Sequence, residues 1–288
     1  MGNFDGVHLG HQAVIDLARR PDAPLGVVTF EPHPREVFAP EAPPFRLMNP
    51  ETRANRLAKL GVQQLYELPF DKALAALTPE EFARQVLSEG LGVSHVVVGA
   101  DFRFGKARAG SAETLAGLGK DLGFEVTIAE LIQAGGTSIS STAIRTALSE
   151  GRTRDAANML GHWHRIDGEV FHGMKRGRDL GYPTANMSVE GLHLPLPGVY
   201  AVKVDVMTGP QTGSYMGAAN IGVRPMFGVN RPNLETYLLD FKGDLYGQHL
   251  SVALVDYLRP ERKFDGLEAL VAQMARDVDQ TRAILTSL

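Results

Sequence analysis

The chain contains no cysteine, which excludes a disulfide frame, a thiolate nucleophile and any cysteine-held zinc or iron–sulfur cluster. It has no apolar run near the roughly 18 residues of a membrane span, and no basic-then-apolar leader at its start. A cytoplasmic protein with no membrane partner is the expectation. Positive charge is not in excess either. A formal net charge of −4 argues against a nucleic-acid partner, because such proteins carry a basic face, but it leaves room for a local cationic pocket. What remains is ordinary globular material: 288 residues, 44% of them hydrophobic, enough for two domains.

The richest stretch comes first. Gly2, Gly6 and Gly10 punctuate Gly2-Asn3-Phe4-Asp5-Gly6-Val7-His8-Leu9-Gly10-His11, so the backbone can bend tightly and approach a ligand. The residues after it, Gln12 to Ala18, have the apolar spacing of a helix with one buried face. A glycine loop opening a helix presents N–H groups and the positive end of the helix dipole, which suits phosphate. His8 and His11 lie three apart, on one face if the helix has begun, and could donate to a triphosphate and stabilise charge building on phosphorus. Taken alone, two such histidines are more often solvated or half of a metal site.

Short apolar runs alternate with helical patterns from here to residue 151. Pro24–Phe30, Gln64–Leu68, Val96–Gly99 and Phe124–Ile128 read as strands. Glu51–Leu60, the stretch from Thr78 to Gly90, Ala112–Leu122 and the stretch after Ser141 read as helices. Thr78-Pro79-Glu80-Glu81 has the makings of a capping box. The alternation implies an α/β domain with a mostly parallel sheet, whose ligands gather beyond the carboxyl ends of the strands. His33 and Arg35 lie after the first strand, and Asp101-Phe102-Arg103-Phe104-Gly105-Lys106 after the third. Aromatics there could flank a flat ring while cations hold phosphate, although a polar turn and a solvated basic loop are the plainer readings. Ser140 or Ser141 would cap the last helix, and with Arg145 one turn on could clamp a nucleotide phosphate.

The first motif resembles the G-x-F-D-G-x-H-x-G-H signature of the nucleotidyltransferase superfamily. T-F-E-P-H-P at 29–34, G-x-D-F-R-F-G at 99–105 and I-S-S-T-x-I-R at 139–145 resemble the remaining motifs of the FMN adenylyltransferase module of bifunctional riboflavin kinase/FAD synthetases. That resemblance implies that the Gly2, Asn3, Phe4, Asp5, Gly6 loop and His8, His11, Ser141, Thr142 and Arg145 contact ATP. It places His33 and the loop from Asp101 to Phe104 near the flavin. The implied reaction is attack of the FMN phosphate on the α-phosphorus of ATP with release of pyrophosphate. In that family a strand and a short leader precede the glycine loop, whereas here only Met1 does. Either the start of the chain is mis-set or the first domain lacks a core strand, and the second case threatens its activity.

After Leu160-Gly161 the pattern becomes short runs rich in Val, Tyr and Thr. Ile166–Phe171, Val199–Met207, Tyr215–Ile221, Leu234–Phe241 and Leu250–Leu258 are predicted strands of an antiparallel barrel, closed by a helix over Phe264–Leu288. The predicted domains are 1–157 and 158–288. Between the first two of these strands, Gly173-Met174-Lys175-Arg176-Gly177-Arg178 forms a cationic glycine loop suited to phosphates. Thr184 and Asn186, two apart, would face one side of an extended chain and could bind one Mg²⁺, although most such pairs are turn or cap residues. Glu235 sits among apolar residues on a predicted strand, so its carboxylate needs a polar cleft or a partner. It could be a general base or simply a solvent-facing carboxylate.

The string G-R-x-L-G-Y-P-T-A-N at 177–186 resembles the riboflavin kinase signature. That resemblance implies a nucleotide site at Gly173, Lys175, Gly181, Pro183, Thr184 and Asn186, with Thr184 and Asn186 on Mg²⁺. It makes Glu235 the base that deprotonates riboflavin, and Arg259–Phe264, Arg262 included, a flap over flavin. Met226 departs from the threonine common in that family. Together the resemblances imply FAD formation from riboflavin, with FMN between and ATP as co-substrate in both steps. The alternative is a riboflavin kinase with an inactive first half.

Overall fold

The computed structural model describes residues 1–130, 133–134, 137–172, 181–226 and 229–288. They form two compact units, Met1–Pro43 with Arg53–Ser140, and Pro44–Thr52 with Ser141–Leu288.

In chain order the first unit carries α1 (Leu9–Leu17), β1 (Gly26–Glu31), α2 (Pro34–Phe38), α3 (Pro50–Lys59, its start belonging to the second unit), β2 (Gln64–Pro69) and α4 (Lys72–Ala76). There follow α5 (Pro79–Glu81), a π-helix over Phe82–Gly90, β3 (His95–Gly99), β4 (Arg103–Phe104), β5 (Gly110–Ser111), α6 (Ala112–Leu122), β6 (Glu125–Ala129), β7 (Gln133–Ala134) and β8 (Thr137–Ser138). The capping box forms as read: Thr78 N donates to Glu81 Oε2 at 2.8 Å and Glu81 N to Thr78 Oγ1 at 3.2 Å. Gly123 ends α6 with φ +82°, a conformation that excludes most side chains.

The parallel reading holds, but as two pairs, β1 with β2 and β3 with β6, rather than one continuous sheet. Val27, Val96, Val97 and Val98 are all buried, as strands covered on both faces require. The Met1 ammonium donates to Val97 O at 2.9 Å and Gly2 N to Val28 O at 3.1 Å, so the first two residues reach one strand of each pair. Beside them lies a cavity of about 200 Å³ lined by Met1, Leu25, Val27, Val96 and others. No strand stands before the glycine loop among the described residues.

The second unit carries α7 (Ser141–Ser149), α8 (Thr153–Leu160), β9 (His164–Glu169), β10 (Ala185–Ser188), β11 (Gly198–Val206), β12 (Gly213–Met226), β13 (Val229–Leu238), β14 (His249–Arg259) and α9 (Leu267–Thr286). The strands form one sheet in the order β10-β13-β12-β11-β14-β9, every pair antiparallel. An antiparallel bridge between Phe171 and Asn186, with Phe171 N donating to Asn186 O at 3.0 Å, brings the two edges together and nearly closes the barrel. Ile166, Met187, Tyr200, Ile221, Leu234 and Val252 fill its interior. Leu47 packs with Ile144, Leu148 and Leu160 of α7 and α8.

Besides the short α2, α4, β4, β5, β7 and β8, two elements of the second unit escape the sequence pattern. β10 has four residues and follows Pro183, too short to show a period, and α8 lies where the change of pattern suggests only a boundary. The β12–β13 hairpin is longer than expected, running from Gly213 to Leu238, with side chains from 223 to 231 outside the description.

Candidate functional site

The glycine loop turns through three residues with positive φ, Phe4 at +50°, Gly6 at +90° and Val7 at +43°. Such strain in non-glycine residues clusters at functional sites. The turn is closed by Val7 N donating to Phe4 O at 3.1 Å, and Phe4 and Val7 are buried, so packing holds the backbone there. α1 then starts with His8 as its N-cap: Nδ1 accepts from His11 N at 3.3 Å. A neutral ring that accepts at Nδ1 carries its proton on Nε2, which makes that atom a donor.

The ring of His11 stacks on His8 with centroids 3.7 Å apart and 15° between planes, and Phe4 lies at 5.1 Å. Burial, then the neighbouring His8, then the terminal ammonium push the His11 pKa well below the ordinary imidazole range. His11 Nδ1 is buried with no hydrogen-bond partner among the described residues. The structure thus makes of the H-x-x-H pair a stacked, polar group at a helix start. Among the described residues no cluster of three or more His, Asp or Glu side chains could hold a metal ion.

His33 caps α2, its Nδ1 accepting from Arg35 N at 3.0 Å while His33 N donates to Glu36 Oε2 at 3.1 Å. Asp101 is exposed beside the end of β3. Phe104, expected near the flavin, lies in the core. It is 6% exposed and packs in the core with Phe82 and Leu115, and a Cβ on Gly110 would meet its ring at 2.6 Å. The half-exposed aromatic of the loop is Phe102, stacked on Phe104 at 5.6 Å. Ser141, Thr142 and Arg145 stand in the first turns of α7 and belong to the second unit. The Arg145 guanidinium lies 5.4 Å from the Phe45 ring centre and donates to Phe45 O.

In the second unit the polar residues share one face of β10, β13 and β12. Asn186 and Asn220 lie opposite Glu235 in register on its two sides. Alternate residues, Met187, Leu234 and Ile221, point into the core, so Asn186, Asn233, Glu235 and Asn220 project from the other face. Asn186 Nδ2 donates to Thr184 O at 3.3 Å, and Asn233 Nδ2 donates to Asn186 Oδ1 at 3.2 Å and to Glu235 Oε1 at 3.3 Å. Asn220 Nδ2 donates to Glu261 Oε1 at 2.9 Å, and a Cβ on Gly222 would meet that carboxylate at 2.5 Å. The segment after β14 therefore lies on this face.

Arg262 stacks on Phe264 at 4.8 Å and donates to Gln273, which places it in the closing segment. Gly181 turns with φ +79°, and Pro183 is exposed. Gly173 and Lys175, with the rest of the loop 173–180, lie outside the described residues. The oxygens of Thr184 and Asn186 are neutral and few. That donor set fits a Mg²⁺ that arrives with nucleotide phosphates, not a cation held by protein alone.

Sequence reasoning missed three groups. Asn233 sits two residues before Glu235, so period-2 alternation could have found it. Glu261 lies in the Arg259–Phe264 segment expected as a flap but was not singled out, and Arg53 carried no signal. The guanidinium of Arg53, 4% exposed, pairs with Glu31 Oε2 at 2.9 Å and with Glu67, across β1 and β2.

Comparison with known proteins agrees with both halves. A family model described as FAD synthetase matches residues 1–143, and one described as Riboflavin kinase matches residues 160–285. A bifunctional riboflavin kinase/FMN adenylyltransferase of Pseudomonas fluorescens is 43% identical over 289 residues, covering 99% of this chain and 91% of its own length. The Escherichia coli K12 protein of the same name is 41% identical, covering 96% and 89%, and that of Bacillus subtilis 37%, covering 100% and 92%. A solved structure from Streptococcus pneumoniae, titled a macrolide-efflux protein, superposes with a TM-score of 0.83 at 33% identity, covering 98% of this chain and 92% of that one. Among the described residues of the present chain no helix is long and apolar enough to cross a membrane.

Proposed function

The chain belongs to the bifunctional riboflavin kinase/FMN adenylyltransferase family, and from that premise we propose how its own residues carry the two reactions. It phosphorylates riboflavin with ATP to FMN, and transfers the adenylyl group of a second ATP to FMN with release of pyrophosphate. The alternative of a kinase alone gives way, since each half has its own family match. We take 1–157 as the adenylyltransferase part and 158–288 as the kinase part, acting in the cytoplasm on small-molecule substrates.

The observation that carries the kinase reading is the polar face on which Asn186, Asn233 and Glu235 are linked by one carboxamide. Glu235 takes the proton of the terminal ribityl hydroxyl as that oxygen attacks the γ-phosphorus of ATP. The new P–O bond forms as the bond to the β-phosphate oxygen breaks, and ADP leaves. Thr184 and Asn186 hold Mg²⁺, which when bound neutralises charge on the nucleotide phosphates. The loop around Gly173 and Lys175 and the turn at Gly181 and Pro183 frame that nucleotide.

In the first half the FMN phosphate oxygen attacks the α-phosphorus and pyrophosphate departs, with no covalent enzyme intermediate. The loop Gly2–Gly6 and the N-terminus of α1 receive the triphosphate, and His8 and His11 donate to the oxygens on which charge develops. Ser141, Thr142 and Arg145 complete the ATP contacts and His33 and Asp101 serve FMN, while Arg262 serves the flavin of the second half.

The test is to incubate the chain with riboflavin, ATP and Mg²⁺ and separate the flavins. FAD as end product supports both sites. FMN without FAD overturns the adenylyl half, and unreacted riboflavin overturns the kinase half.

A further inference from the structure

Asn233 has no role in the family resemblance, yet it joins the two groups on which the kinase reading depends. It is 2% exposed and lies on the same face of β13 as Glu235. Its Nδ2 donates to Asn186 Oδ1 at 3.2 Å and to Glu235 Oε1 at 3.3 Å. A carboxylate only accepts, so the amide nitrogen must face Glu235, and the carboxamide has one orientation. Asn233 Oδ1 is then turned away. It is buried and has no hydrogen-bond partner among the described residues.

Asn186 is fixed in the same way. Its Nδ2 is held by Thr184 O at 3.3 Å and its Oδ1 by Asn233, so it cannot flip and present nitrogen to a cation. An amide oxygen has two lone pairs, and one stays available for a ligand. The Glu235 side chain has three rotatable bonds, and the bond from Asn233 restrains its carboxylate before substrate arrives. Among the described residues the donor end of the amide is used twice, toward the two groups of the site, while its acceptor end is unpaired.

We infer that Asn233 is the positioning residue of the phosphoryl-transfer site: it holds the Asn186 oxygen and the Glu235 carboxylate in one arrangement. The inference rests on the reading of Asn186 as a ligand of the metal-nucleotide and of Glu235 as the base.

The test compares Asn233→Asp, Asn233→Ala and Glu235→Gln in the full chain. Asn233→Asp keeps shape and acceptor but removes the donor, and decides the question if the alanine variant does not fold. Expected for both is a fall in kcat for riboflavin phosphorylation of about tenfold or more, with KM for riboflavin changed much less. Calorimetric affinity for Mg²⁺-ADP falls by a similar factor, because Asn186 is no longer held. Adenylylation of supplied FMN stays at the parent rate, and a melting profile like the parent's reports that the barrel unit is folded. Should Glu235→Gln lose phosphorylation while Asn233→Asp keeps parent kcat and Mg²⁺-ADP affinity, the inference is overturned and the site reading stands. Should Glu235→Gln phosphorylate at the parent rate, the reading beneath it falls.

Discussion

The imidazole rings of His8 and His11 lie face to face, 3.7 Å apart, and the backbone N–H of His11 donates to His8 Nδ1. Burial, then the neighbouring His8, hold the His11 pKa well below the ordinary imidazole range, so His11 is neutral at physiological pH, and the two rings are the proposed donors to the triphosphate. Replacing His11 with alanine removes one of them. The expected outcome is a loss of roughly 10² or more in kcat for FAD formation from FMN, with riboflavin phosphorylation unchanged.

Gly10 makes that stack possible. A Cβ there would meet His8 Cε1 and Nδ1 at 3.1 Å, tighter than ordinary packing. Gly10→Ala should rotate the His8 ring and lower FAD formation, with little change in melting temperature because alanine favours the helix. Unchanged adenylyl transfer in that variant would contradict a role for the His8 ring position.

Arg53 is a structural anchor beside the carboxyl ends of β1 and β2. Removing it takes away the cation that Glu31 and Glu67 share. Because the two carboxylates are 29% and 35% exposed, water offsets part of the cost, and Arg53→Leu should destabilise the chain by about 2 kcal/mol. Denaturant unfolding measures it.

His164, buried in the barrel unit, has its pKa pushed down to about 3, first by burial and then by His162 and His193. Between that value and about 6.5 the unfolded chain binds a proton that the folded chain refuses, so stability falls as pH drops through this window. The expected slope is about 1.4 kcal/mol per pH unit near pH 5 from this residue alone. His164→Gln should flatten the stability profile below pH 6. A profile as steep as the parent's would show that other groups cause the acid loss.

Thr184→Ala removes one neutral oxygen from the proposed Mg²⁺ site. Riboflavin phosphorylation should then need several-fold more Mg²⁺ for half-maximal rate, while the Mg²⁺ demand of FAD formation from supplied FMN stays as it was. An equal rise in both would place the effect elsewhere.

Local chemistry in the sequence was enough to determine the helix starts, the alternation of strands and helices, and the change to a barrel after residue 160. Caps, turns and side-chain periods act over a few residues, so Thr78 with Glu81, or Gly123 after α6, is legible without a fold. The glycine loop and Glu235 were visible from their residue types, whereas Thr184 and Asn186 stood out through the string at 177–186 that resembles the riboflavin kinase signature.

Tertiary structure decided which of these residues meet. Phe104 turned inward because Gly110 leaves room only for its ring, and Phe102 took the exposed place. The parallel strands divided into two pairs, and Phe171 met Asn186 to bring the barrel's edges together. Asn233 gained its meaning from register alone. Pairing of β13 with β10 sets Asn186 opposite Glu235, and a one-residue slip would have turned every one of these side chains to the other face. Such pairings join residues tens of positions apart, and they are chosen by the packing of the whole core, which no local pattern carries.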